Sequence, residues 1–312
     1  MVYVSVFAPG TVCALDRATG KLIWRKEIPK LGGSAVHKAG GKLFAQTSHT
    51  LYALNPNTGD TIWSFCPYGD AHEWIYSAPT IYRNRVFIGD RCGYVHCLHL
   101  RSGRRCWTKR TNRAKNDDVN STPLISNGLV IVGTNAKKAF AYDPETRKQV
   151  WVRPLDGPSV VGPLSFQGLA AVFTDSIYLL KPKDGTIARK FSWRNDGVTG
   201  AASTPKYIIA KLRGQWPPSG TEELVAVNKD GIQFSKAIRA SVPLLRYSGN
   251  TKLLYISHLH GIDIYRPETG DLIWRIKGRP RAEGFGPIEV KNHGMYALSG
   301  DGYVYSLRHP SF

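Results

Sequence analysis

The chain holds 312 residues, 42% hydrophobic and 11% aromatic, enough apolar material for sizeable cores and too much for a disordered chain. Lys and Arg number 42 against 23 Asp and Glu, a formal net charge of +19 that bears on partners and solubility and not on fold. No run of about 18 apolar residues exists, so no membrane-spanning helix is expected, and the five cysteines contain no C-x-x-C pair.

The first apolar runs, Val2–Phe7 and Thr11–Leu15, alternate and carry β-branched residues, as strands do. A phrase follows that organises the rest: Ala14-Leu15-Asp16, then Thr19-Gly20, then Trp24. It returns as Ala53-Leu54-Asn55, Thr58-Gly59 and Trp63, and again ahead of Trp107, Trp151 and Trp274. Lys183-Asp184-Gly185 and Lys229-Asp230-Gly231 are decayed copies, with Arg189 and Ser235 read at the Trp position. The third unit shows the content of a repeat: Tyr76–Tyr82, Arg85–Gly89, Tyr94–Leu98 and Arg104–Thr108 read as four short strands, with Gly at the tight turn before the last. The sixth unit inserts Leu212–Glu223 between its middle strands, and the last pair of runs is Gly294–Leu298 and Tyr303–Leu307. No segment has helical periodicity of competing length.

Four-stranded units repeating near every 40 residues predict an all-β fold, a β-propeller of one domain over residues 1–312. A large ring on each outer strand, four residues past a Gly turn, suits docking between neighbouring blades, so Trp24, Trp63, Trp107, Trp151 and Trp274 are assigned to architecture. The A-L-D-x-x-T-G-x-x-x-W pattern resembles the tryptophan-docking repeat of PQQ-like propellers, a family that includes quinoprotein dehydrogenases and BamB-type assembly proteins. The resemblance covers nearly the whole chain and is specific for fold, whereas the same scaffold hosts enzymes, sensors and binding proteins.

The inner strand recurs seven times, starting near Ser34, Ser77, Ser121, Val161, Ala202, Val242 and Gly286, while the middle pair recurs eight times. Eight blades are therefore expected, with seven the alternative. The first unit lacks its inner strand and the last its outer one, a gap that an N-terminal segment of about 20 further residues would fill. Met1-Val2-Tyr3-Val4 opens directly in a strand without the marks of a signal peptide. Cytoplasmic is thus the literal reading, with an extracytoplasmic location open to a chain that starts earlier.

Chemistry is sought and not found. Quinoproteins resemble longer chains with a vicinal disulfide, a Ca²⁺ ion and an Asp base, and this chain has no adjacent Cys pair. Asp60, Asp143, Glu145, Asp184, Glu268 and Asp271 sit in turns, where solvated carboxylates are ordinary. Asp117, Asp118, Asp156, Asp196 and Glu283 precede inner strands and form no local pair. Cys92, His96, Cys97, His99 and Cys106 crowd one unit, but His96 and Cys97 fall on opposite strand faces and the spacing fits no zinc template. The sequence therefore carries no catalytic residue, no cofactor site and no metal site, with a quinone-dependent oxidoreductase third among the functional readings.

The leading reading is a binding or scaffold protein that recognises protein partners through loops on a rigid frame. The second is an anionic polymer, nucleic acid or acidic polysaccharide, held by a basic rim. The loops joining outer to inner strands carry Arg110, Arg113, Lys115, Arg194, Arg239, Arg279 and Arg281 as candidate anion or partner contacts. Two longer excursions supply candidate partner loops, one with His72, Glu73 and Trp74, the other with Trp216 between prolines and acids.

Overall fold

A computed structural model describes residues 1–6, 10–28, 31, 36–67, 75, 77–111, 118–193, 197–213, 222–238, 244–258, 261–277, 285–291, 294–299 and 304–308. Among them the chain is all β, without an α-helix, and built from antiparallel sheets in which strands pair strictly in sequence order. It divides into two compact units, Met1–Pro163 with Pro182–Thr186, and Leu164–Lys181 with Ile187–Phe312.

The first unit holds four sheets. The first is Val2–Val6, Thr11–Leu15 and Leu22–Glu27, and the second is His37–Ala39, Lys42–Gln46, Leu51–Leu54 and Thr61–Phe65. The third is Thr80–Tyr82, Arg85–Gly89, Tyr94–His99 and Arg105–Arg110, and the fourth is Leu124–Ser126, Leu129–Thr134, Lys138–Tyr142 and Gln149–Pro154. In the second unit the fifth sheet is Leu164–Phe166, Leu169–Phe173, Ser176–Leu180 and Ile187–Ser192. The sixth is Val198–Ser203, Ile208–Leu212, Glu222–Val227 and Ile232–Ile238, and the seventh is Leu244–Ser248, Leu253–His258, Gly261–Tyr265 and Leu272–Lys277. Phe285–Lys291, Gly294–Ser299 and Val304–Arg308 form the eighth. These are blades of the PQQ-like propeller type. The expectation of eight blades is corrected to its alternative, seven. Among the described residues six sheets have four strands, and the first and last in chain order have three, the first without an inner strand and the last without an outer one.

Within each unit the described cores lie between consecutive sheets. Phe44, Leu51 and Ala53 of the second sheet meet Val86, Ile88 and Leu98 of the third, while Leu43, Ala45 and Leu54 turn the other way onto Val12 and Ala14. Both faces of a middle strand are thus covered, which is why these strands read as unbroken apolar runs, as in any sheet packed on both sides. The inner strands of the third, fourth and fifth sheets begin later than the sequence suggests, while that of the sixth begins earlier, at Val198. Pro79, Pro123 and Pro163 have no N–H to give a ladder, so pairing starts at Thr80, Leu124 and Leu164. Upstream, Ser77 and Ser121 bond sideways instead, each hydroxyl donating 3.1 Å to the carbonyl of Gly89 or Gly133.

In the first unit four tryptophans lie against the turn of the following repeat. Trp24, Trp63, Trp107 and Trp151 are between 6% and 9% exposed. Their indole N–H groups donate to the carbonyls of Pro56, Leu100, Pro144 and Pro182 at 3.0, 3.0, 2.9 and 2.8 Å. Each ring lies on the turn of the following repeat. A Cβ on Gly59, Gly103 or Gly185 would stand 2.6, 2.6 or 2.7 Å from the indole, and all three have positive φ, so only glycine fits. Trp151 on the Pro182–Thr186 turn explains why that turn belongs to the first unit. The small Ala of the repeat has its own role. Ala53 stands between Phe44 and Trp63 in register, and their rings meet over it at 5.8 Å.

Two docking assignments change in the second unit. Ser235 does not hold the Trp position. The turn Asn228–Gly231 closes between Asn228 N–H and Gly231 carbonyl, where the first repeat spans Asp16 to Lys21. With the turn shortened by two residues, Ala226 pairs with Phe234 as Ala14 pairs with Trp24. The Phe234 ring then covers Gly270, whose Cβ would stand 2.5 Å from it. Trp274 keeps the register position but is 48% exposed, and the turn equivalent to its seat falls beyond the described residues.

Candidate functional site

Of the seven rim cations the sequence singles out, only Arg110 is described. It ends the strand Arg105–Arg110, exposed, with its guanidinium 5.5 Å over the Tyr94 ring. Tyr94 stacks on His96 at 6.1 Å, and His96 reaches inward, with Nε2 2.6 Å from Asp90 Oδ2 and Nδ1 2.9 Å from Thr108 Oγ1. Asp90 is fully buried and also accepts the backbone N–H groups of Cys92 and Tyr94, each at 2.9 Å. A line of contacts therefore runs from a surface cation to a buried carboxylate. It resembles an acid–base–hydroxyl relay in connectivity, yet Asp90 and His96 are 0% and 1% exposed, and no reacting atom has access to the carboxylate or the ring. Its work is to fix the Asp90 turn and aim Tyr94 and Arg110 outward.

Beside it, Asp118 collects the amide N–H groups of Asn120 and Asn135 at 3.2 and 3.1 Å, with Arg91 Nε 3.6 Å away. This ties the start of the fourth sheet to the turn of the third. Arg113, Lys115, Arg194, Arg239, Arg279 and Arg281 lie outside the described residues, as do His72, Glu73, Trp74 and Trp216. The described residues consequently do not assemble the expected rim or the two partner loops.

A third buried carboxylate lies in the seventh sheet. Asp263 accepts Nε and Nη2 of Arg275 at 2.6 and 2.8 Å and the Tyr265 hydroxyl at 3.1 Å, with His258 Nε2 at 3.3 Å. Burial alone would push this carboxyl up, but the paired bonds from Arg275 and the nearby His258 outweigh it and hold it well below the usual carboxylate range. Burial, then the carboxylate itself, pushes the Tyr265 hydroxyl up. In the sixth sheet Lys211, 1% exposed, bonds Glu222 at 2.5 Å. These networks have no counterpart in the repeated phrase: the sequence reading missed them because their members occupy ordinary strand positions of single repeats. The one available signal is a charged residue, such as Lys211 or Asp263, inside an apolar middle strand.

Among the described residues no three His, Cys, Asp or Glu side chains are placed to hold a metal ion. His96 turns to Asp90 and Thr108 while Cys97 joins the opposite core, which separates the Cys–His crowd of this unit. Nor do the buried carboxylates Asp90 and Asp263 suit a quinone with its Ca²⁺, since both are engaged by partners within their own sheets. No described helix is long and apolar enough to cross a membrane.

A family model described as outer membrane protein assembly factor BamB matches residues 8–175. Among curated relatives, BamB of Pseudomonas aeruginosa is 30% identical over 134 residues, 43% of this chain and 33% of its own. Quinohemoprotein alcohol dehydrogenase ADH-IIG of Pseudomonas putida is 24% identical over 116 residues, 32% of this chain and 16% of its own. The matched segments thus span about a third or less of these relatives. Among solved structures, the computationally designed Ika8 protein aligns with TM-score 0.77 at 14% identity over 96% of this chain and 90% of its own. BamB from Moraxella catarrhalis aligns with TM-score 0.57 at 19% identity, over 98% and 81% respectively. At such identities the structures share the fold.

Proposed function

We propose, because the chain belongs to the family described as outer membrane protein assembly factor BamB, that it is a non-enzymatic protein that binds partner proteins within an assembly. The family match over residues 8–175 carries this reading. The physical argument agrees with it. Wedged tryptophans make adjacent blades stiff, so the loops between strands are presented at fixed spacing, and a partner that contacts several of them loses little entropy to ordering them. The buried carboxylates Asp90 and Asp263 are each held by partners within their own sheets.

Affinity capture of the chain from a lysate at near-physiological salt, followed by a high-salt wash, tests the proposal. Retention of one or a few proteins in stoichiometric amount is expected. Recovery of no protein above a control bait overturns it.

The relative ADH-IIG favours one second reading, a quinone-dependent oxidoreductase. The described residues do not fit it, and a thermal unfolding midpoint unmoved by pyrroloquinoline quinone with Ca²⁺ is the expected result. A saturable rise would reverse that judgement.

A further inference from the structure

The third sheet contains a pair of cysteines that the sequence keeps nine positions apart. The strand Tyr94–His99 pairs with Arg105–Arg110 through a bulge: Cys97 faces Trp107 and Leu98 faces Arg105, which leaves Cys106 as the extra residue. In such a bulge two residues of one strand oppose a single residue of the other. Cys106 and Trp107 therefore both stand against Cys97, and Cys106 joins the core cluster that holds Cys97, Phe87 and Trp107. Without the bulge, strict alternation would send Cys106 to the other face. Cys106 lies near enough to raise the Cys97 thiol further, and both cysteines are free thiols.

The same bulge occurs in every other sheet of the first unit, where the equivalent pairs are Ala14 with Ile23, Ala53 with Ile62 and Ala141 with Val150. Ile23, Ile62 and Val150 are close to half exposed, at 45%, 44% and 47%. Cys106 is more covered, and Arg85 is the neighbour that distinguishes its surroundings. Arg85 Nη1 lies 3.7 Å from Cys97 Sγ and 3.2 Å from the Pro144 carbonyl, and its other nitrogen pairs with Glu145. A cation thus stands over the sulfur pair and grips the turn on which Trp107 is seated.

We propose that Cys97 and Cys106 form an intrachain disulfide across this bulge, made and broken by thiol–disulfide exchange with an external disulfide. Neighbouring antiparallel strands bring Cα atoms within the span such a bond requires. Burial pushes the Cys97 thiol up to about 12, with Arg85 opposing, so Cys97 is a poor first attacker. Cys106, only half-buried, goes first. Its thiolate attacks one sulfur of the external disulfide, here oxidised glutathione, and one glutathione leaves as the thiol. The Cys97 thiolate, formed beside Arg85, then attacks Cys106 Sγ in the mixed disulfide and expels the second glutathione. Two protein thiols and one glutathione disulfide become one protein disulfide and two glutathione thiols. Two electrons and two protons pass from protein to glutathione.

The test is to equilibrate the full chain, carrying Cys92→Ser, in buffers of graded oxidised to reduced glutathione, then to quench with acid and digest with trypsin unreduced. Cleavage after Arg91, Arg101, Arg105 and Lys109 puts the two cysteines on separate peptides, 92–101 and 106–109. The linked pair is expected to rise with oxidant and to vanish in Cys106→Ala. Oxidation should raise the unfolding midpoint by roughly 5 °C, a rise that dithiothreitol cancels and Cys106→Ala lacks. If Cys106→Ala does not fold, Cys106→Ser gives the same readout. A stable glutathione adduct on Cys106, linkage of Cys106 to Cys13 or Cys66, or unmodified thiols in the fully oxidised buffer would each overturn the proposal.

Discussion

The two units join their repeats by different means. In the first, four indoles each add a buried ring and an N–H donor to the next turn. In the second, the same register positions hold Arg189, Phe234 and Trp274. Arg189 keeps the donor, its Nη2 standing 2.7 Å from the Asp230 carbonyl, and lacks the ring. Phe234 keeps the ring over Gly270 and has no donor to give. The indole is thus a sum of two separable contributions, an apolar area of about 150–250 Å² and one hydrogen bond. The area is the larger part, because a net hydrogen bond is worth only about 1 kcal/mol.

Substitutions at these positions test that division. Trp63→Ala should cost about 4 kcal/mol in denaturant unfolding, whereas Arg189→Ala should cost under about 1 kcal/mol. Equal losses would break the comparison. Phe234→Ala should cost about 3 kcal/mol while Ser235→Ala stays within about 0.5 kcal/mol. The reverse result would restore Ser235 to the docking position. Gly103→Ala attacks the seat and spares the ring. With φ at +69° and Trp63 2.6 Å from the new Cβ, a loss of about 2 kcal/mol is expected.

The charged network of the seventh sheet should answer to acid. The Asp263 carboxyl is held below its ordinary value, so its contribution is full above about pH 4 and is lost as pH falls through the folded value. Asp263→Asn should remove about 1–2 kcal/mol at pH 7, discounted because Arg275 is partly exposed, and should flatten the acid limb of a stability–pH curve. An unchanged acid limb would assign that dependence to other carboxylates. The smallest effect is expected at Arg147, which takes φ +58° where other turns use Gly. Arg147→Gly should change stability by less than about 1 kcal/mol, the relief of φ being offset by a looser unfolded chain.

Much of this was legible from residue order alone. The Gly–Trp phrase marks five indoles, four of them buried and Trp274 half exposed, and Arg85–Gly89 reads as a strand to the residue, because both depend on contacts that recur from repeat to repeat. The inner strands of the third, fourth and fifth sheets start three residues later than residue order suggests, since their start is set by a proline that cannot donate. That of the sixth starts four residues earlier than Ala202. Spacing from Gly231 points to Ser235, whereas the ladder is anchored at Ala226 and the shortened turn brings Phe234 to that position. The line from Arg110 to Asp90 and the cluster around Asp263 use single residues of single repeats, which no periodicity can reveal.

The sequence by itself determined the fold class, the repeat, the middle strands and the four docking indoles of the first unit, because these follow from local alternation and from a pattern that repeats every 40 or so residues. Only the tertiary structure decided which side chains meet across a bulge or a turn. Cys97 reaches Cys106, and Phe234 reaches Gly270, through one extra residue in one strand and two fewer in one turn. Such small shifts in register redirect whole side chains while leaving the pattern of apolar residues untouched.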